Sequence, residues 1–298
     1  MAFGLHGALK KIGVGDVLAA FAATPRVRVV DAGLLLVLSL GIMAAYDVPG
    51  IMFAHKNEDF PRLRPHRVGL ASFCAYALSH VLGAPALTAA AIRLRLYAQW
   101  NVPRAGIGRI IALSASNFTL GLASLLGCLL LINPLAVPIV GHAALTMRVV
   151  GGALLCVPVA YIWAARGRDG VKIFGRVIAL PGGRLACAQI LLSCADIATS
   201  SAILYAILPA TPGLSYPHVL SIYLAGFAAG LFSGLPAGVG VFDSVLLLGF
   251  SAYLPPADAL GAILLFRVMY FLTPACLAGL CYAGHELWVH TKAPGETS

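Results

Sequence analysis

Apolar runs of about twenty residues, the length a helix needs to cross hydrocarbon, follow one another along almost the whole chain, and polar positions gather in short connections between them. The pattern predicts about eight spans. The first runs from about Val27 to Tyr46, and the second starts at Val68, is interrupted at Gly83-Ala-Pro85 and ends at Arg93-Leu-Arg-Leu-Tyr97. The third covers about Gly106 to Ile132, the fourth Met147 to Ala165 and the fifth Leu185 to Leu208. A sixth enters the stretch Gly234-Leu-Pro-Ala-Gly-Val-Gly-Val-Phe-Asp243, a seventh leaves it from about Val239 to Tyr253, and the last covers Pro256 to Tyr282. The expected fold class is therefore all-α: a polytopic transmembrane bundle forming a single domain over residues 27–283. An amphipathic interfacial segment at 1–26 precedes it and a cytoplasmic tail at 284–298 follows it.

Two of the spans contain breaks. Gly234, Pro236, Gly238 and Gly240 fall close together, and each glycine or proline inside a helix costs roughly 1–3 kcal/mol. Freed backbone groups at membrane depth are tolerated only where protein or a water-filled cavity surrounds them, so the break reads as a lining element of a site. A tight cytoplasmic turn between two ordinary helices is the plainer alternative. Gly83-Ala-Pro85, Pro103 and Gly108 are echoed by Gly234-Leu-Pro236, Pro256 and Gly261 at an offset of about 152 residues, the arrangement expected of an internal repeat with discontinuous helices in matching positions.

Composition narrows the function. The 298 residues are 60% hydrophobic and 10% charged, where soluble domains carry about 25% charged residues, and the spans leave no length for a soluble catalytic domain. The net charge of +9 sits in short loops, as orientation by cytoplasmic lysine and arginine requires. The loops holding Arg93 to Arg109 and Arg166 to Arg184 are basic, whereas 133–146 and 209–217 are uncharged, which places both termini in the cytoplasm. The mixed-charge residues 54–67 form an outer loop in this scheme. Anionic lipid is the expected partner rather than nucleic acid, no phosphate-binding GxxxxGK[ST] run points to a nucleotide, and the seven cysteines show neither CxxC nor metal-ligand spacing. No cofactor or metal is expected.

The candidate chemistry lies inside the spans. Gln189, Ser193, Asp196 and Ser200 recur at i, i+4, i+7 and i+11, one polar stripe on an apolar helix. An ionisable residue near mid-membrane costs at least about 2.5–3.5 kcal/mol, so Asp196 is either a functional group or an acid satisfied by neighbouring hydroxyls. Ser114, Asn117, Gly121 and Ser124 form a small, polar face suited to close helix packing. A helix restarting after Pro236-Ala-Gly-Val-Gly240 presents amide N–H groups and a positive dipole end that suit phosphate or carboxylate oxygens. Gly238, Gly240 and Asp243 lie there, with Arg267 as the acid's potential partner or Asp243 simply complementing the dipole. Arg93 and Arg95 project to different faces, one toward the site and the other toward lipid headgroups.

Three stretches carry a family resemblance. Gly83 to Arg109, with Ala91-Ile-Arg-Leu-Arg-Leu-Tyr97, then Leu235-Pro-Ala-Gly-Val-Gly-Val-Phe-Asp243, then Leu265-Phe-Arg267-Val-Met-Tyr270-Phe-Leu-Thr-Pro274 resemble, in order, the membrane half of bacterial lysylphosphatidylglycerol synthase (multiple peptide resistance factor) and its standalone membrane relatives. Asp243 stands where that family usually has glutamate, and Ala237 where it has glycine. The resemblance implies a helical bundle in the bacterial inner membrane that moves aminoacylated phosphatidylglycerol between leaflets, without the transferase domain, and it adds Tyr270 to the candidate set. The expected function is thus a lipid translocase for an anionic or aminoacylated phospholipid or another lipid-linked headgroup, not an enzyme. Its headgroup would meet Arg93, Asp196, Gly238, Gly240, Asp243, Arg267 and Tyr270. Alternatives are a non-catalytic subunit of an envelope assembly complex or an integral-membrane transferase on lipid-linked substrates. Partners open to the chain are phospholipids, copies of itself or a separate cytoplasmic lipid-modifying enzyme.

Overall fold

A computed structural model describes residues 25–82, 84–133, 144–166, 170–173, 176–233 and 238–292. The segment expected at the interface before residue 25, Gly83, the span Gly234 to Ala237 and the last six residues lie outside them. The fold is an all-α membrane bundle: eleven α-helices, a π-helical turn and one short hairpin among the described residues. In order these are α1 (Arg26–Ala45), α2 (Val48–Asn57), α3 (Pro65–Leu82), α4 (Pro85–Gln99), α5 (Arg104–Ile132), α6 (Ala144–Ala165), the antiparallel strands β1 (Gly170–Ile173) and β2 (Arg176–Ala179), α7 (Gly183–Ile207), α8 (Tyr216–Ser233), α9 (Val241–Phe250), α10 (Pro256–Phe266), the π-turn Arg267–Leu272 and α11 (Thr273–Lys292).

Proline sets many of these boundaries, because it fixes φ at a helix start and offers no N–H to a preceding carbonyl. Pro65, Pro85 and Pro256 each open a helix, and Pro25 and Pro103 stand just before one. Ala84 adopts a left-handed φ of 43° between α3 and α4, a conformation costing roughly 1–2 kcal/mol, since Pro85 bars the helical region to the residue before it. The π-turn has the same origin. Pro274 cannot donate to the carbonyl of Tyr270, so the helix widens by one residue, and the Thr273 hydroxyl donates to the Val268 carbonyl at 2.9 Å.

Several boundaries differ from the expectation. Residues 54–57, assigned to an outer loop, are the last turn of α2, which restarts after Tyr46 and Asp47 with Pro49 in its first turn. The basic connection after α6 contains the β1–β2 hairpin, and α11 continues past residue 283 to Lys292. Among the described residues, five helices are long and apolar enough to cross a membrane by length and composition, against about eight spans expected, and the ten-residue α9 is a shorter apolar helix.

A broken pair followed by a long helix occurs twice, as α3–α4 with α5 and as α8–α9 with α10–α11. α1 lies along α7, α11 packs on α3, and α8 touches α5. One apolar cluster joins α1, α7, α8, α9 and α10, and a second joins α2, α3, α4, α5 and α11. The outer surface is apolar too: Val27, Leu34, Leu145, Val159, Trp163 and Leu191 are all exposed, as lipid-facing positions are.

Lipid is as apolar as the helix surfaces, so close van der Waals contact at small residues holds such helices together. A Cβ added at Gly121 of α5 would come within 2.8 Å of the Ser193 Cβ of α7, and one at Gly151 of α6 within 2.9 Å of the Gly127 carbonyl. Gly121→Val is therefore expected to lower stability by about 1–3 kcal/mol, read as an earlier unfolding midpoint of the purified protein in detergent. Gly33→Val, in open space on α1, is the control. Equal midpoints for the two variants would show that the α5–α7 approach is not a tight contact.

Candidate functional site

Arg93 is on the inner face of α4, 4% exposed, and meets a partner absent from the sequence expectation: Asp47, fully buried at the α1–α2 junction. The guanidinium Nε lies 3.0 Å from both carboxylate oxygens and Nη2 lies 2.8 Å from Oδ1. Tyr97 and Ser114 each donate a hydroxyl to the same carboxylate at 2.8 Å. Arg95, on the opposite face, forms a two-pronged pair with Glu286 of α11 instead of reaching freely toward lipid. The signal for Asp47 was an acid ending the first apolar run two residues before a proline.

The polar stripe of α7 is wholly internal: Gln189, Ser193, Asp196 and Ser200 are all buried. Gln189 donates to the Leu113 carbonyl and the Ser116 hydroxyl and accepts from Tyr161, so it ties α7 to α5 and α6. Asp196 is 2% exposed. Its Oδ2 accepts from the hydroxyls of Tyr46, at 3.1 Å, and Tyr76, at 2.5 Å. Its Oδ1 has no hydrogen-bond partner among the described residues.

Arg267 and Asp243 form the pair considered from sequence. Nε lies 2.6 Å from Oδ1 and Nη2 2.8 Å from Oδ2, with the two side chains 16% and 20% exposed. The guanidinium also lies over the rings of Phe242 and Phe271, 5.6 and 5.5 Å from their centroids. Asp243 at the same time closes the start of α9, because the Gly240 N–H donates to its Oδ2 at 2.9 Å. One amide expected to stand ready for a phosphate is thus held by the chain's own acid. Gly240 (φ 81°) and Gly238 (φ 58°) supply the left-handed turn, and a Cβ at Gly238 would come 3.0 Å from the Gly230 Cα of α8.

Between the two broken pairs lies a cavity of about 300 Å³. Of the sequence candidates, Arg93, Asp196, Gly238 and Tyr270 line it; Gly240, Asp243 and Arg267 do not. The Asp243–Arg267 pair stands behind Phe242 and Phe271, whose rings form part of the wall. The wall also includes groups that sequence reasoning did not name as site residues: Tyr46, Tyr76, His80, Asn117 and Tyr223. Aromatic residues inside apolar helices carry no periodic polar signal, which is why they passed as core. His80 Nδ1 lies 2.8 Å from the Tyr76 carbonyl, a pairing that requires the proton on that nitrogen.

Fold and site together define an all-α membrane bundle with a largely apolar cavity, holding a few buried polar groups, set between two discontinuous helix pairs. No protein-family model matches the chain. Over 297 residues it is 30% identical to the uncharacterized protein slr0712 of Synechocystis sp., an alignment that takes in 99% of this chain and 90% of that protein. The chain belongs to the same family as slr0712. It is also 29% identical over 262 residues to the inner membrane protein YbhN of Escherichia coli, covering 86% of this chain and 80% of that one. A shorter stretch of 92 residues, 30% of this chain, is 33% identical to phosphatidylglycerol lysyltransferase of Staphylococcus aureus, where it accounts for 11% of the length. The family resemblance read from the motifs is matched by this overlap.

Proposed function

We propose that this protein moves a lipid bearing a polar headgroup across the bacterial inner membrane, the headgroup passing through the cavity while its acyl chains stay in the bilayer. The carrying observation is the cavity itself, which places a buried carboxylate with an unbonded oxygen between two broken helix pairs in a protein with an apolar outer surface. The partial likeness to phosphatidylglycerol lysyltransferase supports an anionic or aminoacylated phospholipid as cargo. No covalent step is assigned to the chain. Once Phe242 or Phe271 moved aside, the headgroup's phosphate would compete with Asp243 for Arg267, since a guanidinium binds either anion through two parallel bonds.

Lipid retained through purification tests the cavity's role. Wild-type protein extracted in mild detergent should carry phospholipid, quantified by headgroup-resolved mass spectrometry, and Ala115→Trp, which fills the cavity from α5, should carry at least about tenfold less. Equal retention would move the lipid site elsewhere.

The same reading puts both termini in the cytoplasm, with the β1–β2 hairpin beside them. A Gly170→Cys variant in a cysteine-free background should resist membrane-impermeant maleimide in intact cells and react after permeabilisation. Labelling in intact cells would reverse the topology.

A further inference from the structure

The geometry points to a monovalent-cation subsite in the cavity wall, built from the oxygens of Asp196, Ser200 and Tyr223. It deepens the translocation reading and rests on it for the source of the cation. Two of these residues carry buried oxygens with no hydrogen-bond partner among the described residues: Oδ1 of Asp196 and the hydroxyl of Tyr223. Both side chains are at least nine-tenths buried, and both line the cavity. Ser200 lines it too and uses its proton on the Ile197 carbonyl at 3.0 Å, leaving lone pairs to accept.

Asp196 and Ser200 lie one turn apart on α7, Asp196 one turn beyond the close contact that Ser193 makes with Gly121 of α5. A Cβ on that glycine would lie 2.8 Å from the serine Cβ. The carboxylate and the hydroxyl therefore share one face of a helix whose spacing from α5 is fixed, and side chains set on rigid elements keep binding geometry.

Charge selects the ligand. A carboxylate that stays ionised when buried draws a counter-charge, and among the described residues Asp196 has two tyrosine hydroxyls and no ion pair. Arg93 is held by Asp47, and Arg267 by Asp243 behind two phenyl rings. A single carboxylate balances one positive charge, whereas divalent ions are held by several carboxylates or by many oxygens. The rings of Tyr46, Tyr76, Phe227 and Tyr270 around the cavity add the aromatic faces that attract a desolvated cation. An alkali ion and the primary ammonium of a headgroup share this chemistry.

Saturable binding of sodium-22 and of carbon-14 ethylammonium to the purified full-length protein tests the subsite, with each probe displaced by the other. The expected result is one site per chain for at least one probe, weakened about tenfold or more in Asp196→Asn and several-fold in Ser200→Ala, both checked for a monodisperse profile. Tighter binding of sodium identifies a co-transported ion, and tighter binding of ethylammonium identifies a headgroup amine. Should Asp196→Asn lose its fold, Ser200→Ala alone decides. Absence of saturable binding of both probes up to about 50 mM, or unchanged binding in the variants, overturns the proposal. The assay contains no lipid flux, so a protein that translocates lipid without binding either cation loses only the subsite. One that binds a cation but moves no lipid loses only the translocation reading.

Discussion

Replacing Arg93 by alanine is expected to destabilise the folded protein by about 3–5 kcal/mol, because it leaves the Asp47 carboxylate buried without its counter-charge. Asp47 is fully buried and takes bonds from Arg93, Tyr97 and Ser114. Two neutral hydroxyls cannot replace a bidentate guanidinium. Asp47→Asn should be damaging for the converse reason, since it strands the arginine. The double variant Asp47→Leu with Arg93→Met should recover much of the loss, because an apolar pair of similar volume has no charge to desolvate. Arg95→Ala is the internal comparison: its side chain is 53% exposed in the pair with Glu286, and its unfolding midpoint should stay near that of the wild type. Midpoints from detergent unfolding of all four proteins check the ordering. A double variant no better than Arg93→Ala would mean that the pair does more than balance charge in the fold.

Arg267→Ala is expected to slow headgroup translocation in reconstituted vesicles by about tenfold or more while folding stays near normal. A charge-assisted hydrogen bond contributes about 1.5–3 kcal/mol, enough for that factor if it forms only during passage. The pair with Asp243 is part-exposed rather than sealed, so its loss costs less structure than loss of the Asp47–Arg93 pair. Asp243→Asn should also slow transport, and it keeps an oxygen able to accept from the Gly240 N–H, so the start of α9 survives. Arg267→Lys should retain part of the rate, since an ammonium keeps the charge and loses the two-pronged geometry. Full rates in Arg267→Ala across several labelled headgroups would remove this pair from the pathway.

The bundle was legible from the apolar runs, and both breaks from their prolines and glycines, because helix propensity is a local property. That only one of Arg93 and Arg95 turns inward followed from helical spacing, and the Asp243–Arg267 pairing was one of the two roles that charge and helix position allowed the acid. Asp47 was not legible as Arg93's partner: they are joined only by the packing of α1, α4 and α5, and the acid ends an apolar run next to a charged connection. The restart at α2 was hidden for a related reason. His55 and Lys56 look like loop residues, yet they sit in the last turn of a helix, where cations favour the negative dipole end. The screen of Phe242 and Phe271 between the Arg267 pair and the cavity is a tertiary arrangement that no spacing encodes.

The central claim is that the cavity is the route of a headgroup. Its most direct measurement is the rate at which fluorescent phosphatidylglycerol moves between leaflets of protein-containing vesicles, read by dithionite quenching. Vesicles holding wild-type protein should exchange label at least about tenfold faster than protein-free vesicles, and those holding the cavity-filling Ala115→Trp should fall back to the protein-free rate. Wild-type exchange no faster than protein-free vesicles, or undiminished exchange with the cavity filled, would contradict the account.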